Sequence, residues 1–181
     1  DGVGTIWSLD LAELQALDAG HAWSPDDATD DTPEEERWPW RGMGLQLPTL
    51  DEALAGTDAP LLLAVRQSDP ALLAAVAEVL GDIPADRACL HAQGRTQALA
   101  LREALPDHCI AFPLEDLDCL YWSQTLPLDW GSCPSWDLIV AEPLRGNRRV
   151  LTPAFLNNAE ARGWPVFAAP GGNDEELELQ L

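Results

Sequence analysis

The feature that most constrains the fold is an alternation of short apolar runs with helix-type segments over residues 60–169. Turn residues bound the apolar runs, and the segments between them carry apolar residues at helical spacing. Strands that alternate with helices pair in parallel, because each helix returns the chain to the same end of the sheet. We therefore predict an α/β fold with outer helices and parallel strands that are adjacent in chain order. The predicted strands are residues 60–66, 87–91, 108–112, 137–141 and 165–169.

Capping residues mark the helix boundaries. Asp69 followed by Pro70 gives an N-cap and a first-turn proline, and Thr49 with Glu52 three residues later forms a capping box. Thr152 followed by Pro153 gives the same N-cap and first-turn proline, and glycines often follow the last apolar position of a helical segment. The predicted helices are residues 49–56, 69–81, 96–105, 115–120, 152–163 and 173–181.

The N-terminal part of the chain contains one further predicted helix and a long loop. Asp10 and Glu13 have the spacing of an N-cap and its N3 partner, which predicts a helix over residues 8–20 with Gly20 at its end. Residues 21–47 contain three prolines and a run of acids, which break or disfavour a core element. We predict a long, acidic and proline-rich surface loop there.

Length and charge limit the kinds of protein and partner. A chain of 181 residues is long enough for a single domain over residues 1–181. The net charge is -21, so the field of the protein repels nucleic acid, and we predict no nucleic-acid partner. No apolar run approaches the ~18 residues that cross a bilayer, so no transmembrane segment is predicted. The compartment stays open.

The cysteines and histidines give no metal-site pattern. The four cysteines lack C-x-x-C spacing and the three histidines are scattered, so a zinc site is not predicted. Cys89 and Cys109 lie in apolar runs that we interpret as strands. We expect both to be free, buried thiols, although an even number of cysteines also permits disulfides.

Several short segments occur in a distinctive order. They are Leu9–Leu14, Arg41–Gly44, Leu47–Leu54, Val150–Phe155 and Val166–Phe167. Their order and spacing resemble the glycerophosphodiester phosphodiesterase family. The resemblance implies an incomplete (β/α)8 TIM barrel, with about five of the eight strands in this chain. It also implies hydrolysis of glycerophosphodiesters to glycerol phosphate and an alcohol, at a site formed by the C-terminal ends of the strands. The implied partner is therefore a small phosphodiester or glycerol phosphate.

The resemblance breaks at the catalytic groups. The family uses a divalent metal, Mg²⁺ or Ca²⁺, and two histidines as acid and base, and the segments with those histidines would precede Asp1. The family's Glu-x-Lys falls on Ala64-Val65-Arg66, and an alanine methyl group cannot bind a metal. We therefore interpret the chain as a fragment or truncated member, predict no catalytic residue and no metal ligand, and expect impaired or absent turnover.

Arg66 and His91 are the predicted substrate-binding residues. Arg66 follows a predicted strand and keeps the positive charge of the family's lysine, so its guanidinium can hold a phosphate or pair with a nearby carboxylate. His91 ends the next strand and would reach the same edge, with a purely structural role as the alternative. Glu142 ends another predicted strand and is a candidate site carboxylate, with a helix-capping or salt-bridging role as the default. Arg41 matches the family's pattern in a loop, with a role in loop structure as the alternative.

Three hypotheses about function remain open at this point. The chain is an active phosphodiesterase given as a fragment, a non-catalytic relative that binds a phosphate-containing ligand, or an unrelated acidic α/β interaction domain. Ala64 favours the second over the first, because loss of a carboxylate ligand weakens a site for a hard cation.

Overall fold

The computed structural model describes residues 6–25, 28–125, 136–142, 144–145 and 148–169. The chain divides into two compact units, Asp1–Thr57 and Asp58–Leu181. No helix in the described ranges has the length and apolar character needed to cross a bilayer. The predicted helix 173–181 lies outside the described residues.

The first unit contains three short helices. Both predicted capping boxes are present: Asp10 and Thr49 each accept a hydrogen bond from the N–H of the glutamate three residues later, and that glutamate bonds back. The predicted helix 8–20 is wrong in its extent, because the helix is only five residues long. The helices are α1 (Leu11–Gln15), α2 (Glu34–Arg37) and α3 (Leu50–Ala55).

Asp18 explains why α1 ends early. Its carboxylate accepts hydrogen bonds from the N–H of Gly20 at 3.0 Å and from the N–H of Gly42 at 2.7 Å. The pKa of the Asp18 carboxyl is lowered, and the hydrogen bond from the Gly42 N–H is the largest cause. The N–H of Ala19 donates to the carbonyl of Leu45 at 2.8 Å. Asp18 and Ala19 thus bond to residues 42 and 45 outside the helix, the Gly20 N–H bonds to Asp18, and Gly20 is not a helix C-terminal glycine.

Arg41 organises the predicted loop 21–47. Its Nε donates to the His21 carbonyl at 2.8 Å, and its Nη1 pairs with Glu34 at 2.7 Å. The guanidinium also lies 4.9 Å from the ring centre of Trp38. Helix α2 lies within this segment and buries none of its residues. Arg41 therefore has a structural role in the loop, which was the alternative given for it from the sequence.

The second unit alternates strands with helices, as predicted. Asp69 accepts a hydrogen bond from the N–H of Ala71 and Thr152 from that of Phe155, which confirms both predicted N-caps. The helices are α4 (Pro70–Gly81), α5 (Arg95–Ala104), α6 (Leu114–Thr125) and α7 (Pro153–Glu160). The strands are β1 (Leu61–Val65), β2 (Ala88–Ala92), β3 (Cys109–Ile110), β4 (Ile139–Ala141), β5 (Leu144–Arg145), β6 (Arg148–Arg149) and β7 (Val166–Ala168).

Five of these strands are parallel and follow chain order. Strands β1, β2 and β3 form one sheet, and β4 pairs with β7 in another. A parallel bridge between Ala111 and Leu138 links the two sheets. The predicted set of five parallel strands in chain order is therefore confirmed. The antiparallel hairpin of β5 and β6 was not predicted, and α6 is longer than the predicted turn 115–120.

The two faces of the sheet differ in burial. In β2, Ala88, Leu90 and Ala92 are buried, whereas Cys89 and His91 are half-buried. Helix α5 packs against β2 and β3. Helix α4 contacts α5, α5 contacts α6, and α6 contacts α7. Alternate residues of a strand point to opposite faces. The helices therefore cover one face, and the side chains of Cys89 and His91 point to the other.

Cys89 and Cys109 form a disulfide, so the expectation of free, buried thiols is wrong. The two residues are direct register partners in neighbouring strands, with 4.5 Å between their Cα atoms. Their side chains therefore leave the same face at the spacing that a disulfide needs. Both are half-buried rather than buried. Cys119 is also disulfide-bonded, and no described cysteine is free.

Candidate functional site

A cavity of about 410 Å³ lies at the C-terminal ends of the parallel strands. The carboxyl ends of parallel strands meet at one edge of a sheet, and α/β proteins commonly bind ligands there. The cavity is in the size range of small-molecule sites. Its polar lining residues are Arg66, His91, Gln93 and Glu142. We call it the C-terminal cavity. It contains both predicted substrate-binding residues.

Arg66 follows β1 directly and has an exposed side chain. Within the described ranges it makes no hydrogen bond and no ion pair. Its main chain is held by Gln97, a buried residue of α5. The Gln97 amide donates to the carbonyl of Val65 at 2.9 Å and to that of Gln67 at 2.7 Å, on either side of Arg66. Arg66 thus has a main chain fixed by Gln97 and a guanidinium without a partner among the described residues.

Gln97 also fixes the end of β2. Its Oε1 accepts a hydrogen bond from the N–H of Gln93 at 3.1 Å. One side chain therefore bonds to the last carbonyl of β1, to a carbonyl just after β1 and to an N–H just after β2. The two strand ends that carry Arg66 and His91 are joined through this amide.

His91 lies in β2, next to Ala64 of β1 in the register. Its Nε2 is buried and has no hydrogen-bond partner among the described residues. Burial lowers the pKa of His91, and the positive charge of Arg66 lowers it further. At neutral pH the imidazole is therefore neutral, and a ligand that supplies a partner for Nε2 would remove an unpaired buried polar atom.

One wall of the C-terminal cavity is apolar. Leu114, Leu117 and Tyr121 of α6 line it, together with Val140 and Val150. The three α6 residues are spaced i, i+3 and i+7, so they share one side of the helix. A ligand in the cavity would contact this wall on one side and the polar residues on the other. Residue 121 is beyond the predicted end of this helix, so the wall was missed from sequence.

The residues that the structure describes in the C-terminal cavity do not form a metal centre by themselves. Its metal-binding side chains are His91 and Glu142, and Ala64 occupies the position that the family resemblance assigns to a metal carboxylate. The Arg66 guanidinium shares the cavity and repels a cation. No group of three or more His, Cys, Asp or Glu side chains in the described ranges has a metal-binding arrangement. Among the described residues, the cavity therefore lacks a sufficient donor set for the implied divalent ion.

A second, more polar cavity lies at the N-terminal end of α5. Helix N-termini attract anions, but here Glu115 already accepts a hydrogen bond from the N–H of Arg95 at 3.2 Å. The Arg95 guanidinium is paired with the buried Asp116, whose hydrogen bond raises the pKa of Arg95. An anion would meet the Glu115 carboxylate at this helix end. Arg66 lines both cavities and each also holds at least one carboxylate, but only the C-terminal cavity adds the imidazole of His91, so it is the better candidate site.

No family model matches the chain, and no curated protein matches it in sequence. The fold and the site define the class: an α/β domain with parallel strands in chain order and a ligand-sized cavity at their C-terminal ends.

Proposed function

We propose that this chain is a barrel-type domain, similar to glycerophosphodiester phosphodiesterases, that binds a phosphate-bearing small molecule in its C-terminal cavity without hydrolysing it. The observation that carries the proposal is that Arg66 and His91 line the same cavity. Arg66 has no ion-pair partner among the described residues, and the buried Nε2 of His91 has no hydrogen-bond partner there. Glycerol phosphate or a small phosphodiester is the proposed ligand.

The strand order supports the barrel part of this proposal. Crossovers between parallel strands are almost always right-handed, so strands that are adjacent in chain order place every helix on the same face. The contacts between successive helices α4 to α7 agree with this one-sided arrangement. The opposite face carries Ala64 and His91, which in a closed barrel would point inward. An incomplete (β/α)8 barrel accounts for both features.

The chemistry of the two residues supports an anionic ligand. A guanidinium presents a planar set of donors that matches two phosphate oxygens, and a neutral imidazole can donate one further hydrogen bond. The net charge of -21 works against any anion at long range. That repulsion is screened within a Debye length of about 8 Å at physiological salt, whereas contacts in the cavity are not. Selective binding therefore depends on Arg66.

Titration calorimetry with glycerol 3-phosphate tests the proposal. A charge-assisted hydrogen bond is worth about 1.5–3 kcal/mol, so Arg66→Ala should weaken binding by about 10- to 100-fold. Arg87→Ala is the matched control, because Arg87 precedes β2 at the opposite end of the sheet, where it pairs with Asp58 at 3.9 Å. The control should bind like the parent chain. Equal loss in both variants, or no binding by the parent, would contradict the proposal.

The absence of turnover has its own test. Hydrolysis of a phosphodiester needs charge neutralisation and a positioned acid, and removal of general acid-base catalysis alone costs about 10²- to 10⁴-fold in rate. The cavity residues His91 and Glu142 do not reproduce the family's histidine pair and metal carboxylates. We expect no metal-dependent release of choline from glycerophosphocholine by this chain. Metal-dependent release that persists through repurification and disappears in His91→Gln would overturn this part of the proposal.

A further inference from the structure

We propose that the ligand of the C-terminal cavity is an amphiphilic phosphate monoester, with its phosphate at Arg66 and His91 and an apolar group against α6. This inference rests on the proposed phosphate site and adds the chemical class of the rest of the ligand. The observation behind it is the division of the cavity into a polar side and an apolar wall.

Helix α6 has one side buried in the unit and another side that lines the cavity. Asp116 and Leu120 are completely buried and face the interior of the unit. Leu114, Leu117 and Tyr121 lie on the side that lines the cavity, and Leu114 is 54% exposed. A helix side that faces water usually carries polar residues. Apolar residues at three successive positions of this side therefore indicate a contact with an apolar group.

The apolar wall is not simply the interior of an open barrel. Ala64 and Val140 are strand residues, and closure of a barrel would bury them. Leu114, Leu117 and Tyr121 belong to a helix that follows β3, and they line the cavity together with Arg66 and Glu142, which follow strand ends. Completion of the sheet would therefore leave the three α6 side chains at the mouth of the barrel, where a barrel binds its ligand.

Charge and size define the ligand further. One guanidinium and one neutral imidazole suit a single phosphate group, and the remaining lining is mainly apolar. The volume of about 410 Å³ accommodates a phosphate with a short alkyl or aryl group. The net charge of -21 repels an anionic lipid surface, so the ligand is a soluble amphiphile rather than a lipid within a membrane.

Calorimetry with a homologous ligand series tests the inference. The probes are inorganic phosphate and methyl, butyl and hexyl phosphate, added to the full chain at constant pH and salt. Each methylene that contacts the apolar wall should tighten binding by about four-fold. Equal affinity for methyl and hexyl phosphate would overturn the inference and leave the phosphate site intact. Absence of binding by all four probes would overturn the proposed function as well.

Two matched variants locate the apolar contact. Leu114→Ser should weaken the binding of hexyl phosphate by about three- to ten-fold and leave the affinity for inorganic phosphate unchanged. Leu99→Ser is the control, because Leu99 is 55% exposed on α5 and does not line the cavity. Equal effects of the two variants would contradict the assigned wall. Co-sedimentation with phosphatidylcholine vesicles that contain phosphatidic acid, if it is lost in Arg66→Ala, would show that the site takes a membrane lipid and would contradict a soluble ligand.

Discussion

Replacement of Gln97 tests how the site is held together. Its side chain makes three hydrogen bonds to the main chain at the ends of β1 and β2, and the bond to the Val65 carbonyl is buried. Gln97→Leu keeps the size but leaves those groups without their partner. One buried unpaired group costs about 1–3 kcal/mol, and the two half-buried groups can regain water. We expect a loss of about 2–3 kcal/mol in the free energy of unfolding.

Urea denaturation of the full chain, followed by circular dichroism, measures this loss. Gln67→Leu is the matched control, because it is the same substitution at an exposed neighbouring position. Its effect should stay within about 0.5 kcal/mol. Gln97→Glu should also destabilise the chain, since a carboxylate accepts from the Gln93 N–H but cannot donate to the two carbonyls. If Gln97→Leu costs no more than the control, the side chain does not hold the strand ends.

Three further predictions concern stability. The Cys89–Cys109 disulfide spans 20 residues, so its replacement by two alanines should cost about 3 kcal/mol in urea unfolding, and an unchanged midpoint would contradict this. Asp116→Ala should cost about 1–3 kcal/mol, because it leaves the buried Trp136 indole N–H without its acceptor, whereas Asp116→Asn should cost less. The pKa of His91 is lower in the folded chain, so its contribution to stability is complete above the unfolded pKa of about 6.5 and decreases as the pH falls below it. His91→Gln should remove that pH dependence from the urea midpoint measured between about pH 7.5 and 5.

Local signals predicted much of the fold. Asp69 and Thr152 cap their helices as expected, because an N-cap depends on residues within one turn. The parallel strands were predictable because continuous apolar runs between helices occur in few architectures. The predicted strands also gave the C-terminal ends of β1 and β2. Those ends in turn predicted that Arg66 and His91 lie together at one edge of the sheet.

The remaining features depend on tertiary contacts. Helix α1 stops early because Asp18 bonds to Gly42, which lies 24 positions later in the chain. The disulfide depends on a register that places Cys89 opposite Cys109, and apolar composition does not determine a register. One sequence signal indicates the role of Gln97: it lies on the same side of helix α5 as the buried Leu101. A glutamine in an apolar stripe indicates a buried polar contact, although not its partners.

The most direct test of the central claim observes His91 itself. Long-range ¹H–¹⁵N NMR spectra of the imidazole rings should be recorded during a titration with glycerol 3-phosphate. His108 is the internal control, because its Nε2 is also buried without a partner among the described residues, but it precedes β3 at the other end of the sheet. We predict that His91 Nε2 shifts with the calorimetric affinity, that the pKa of His91 rises towards its ordinary value, and that His108 does not respond. A saturable binding signal that leaves His91 unchanged would contradict the claim that Arg66 and His91 form the phosphate site.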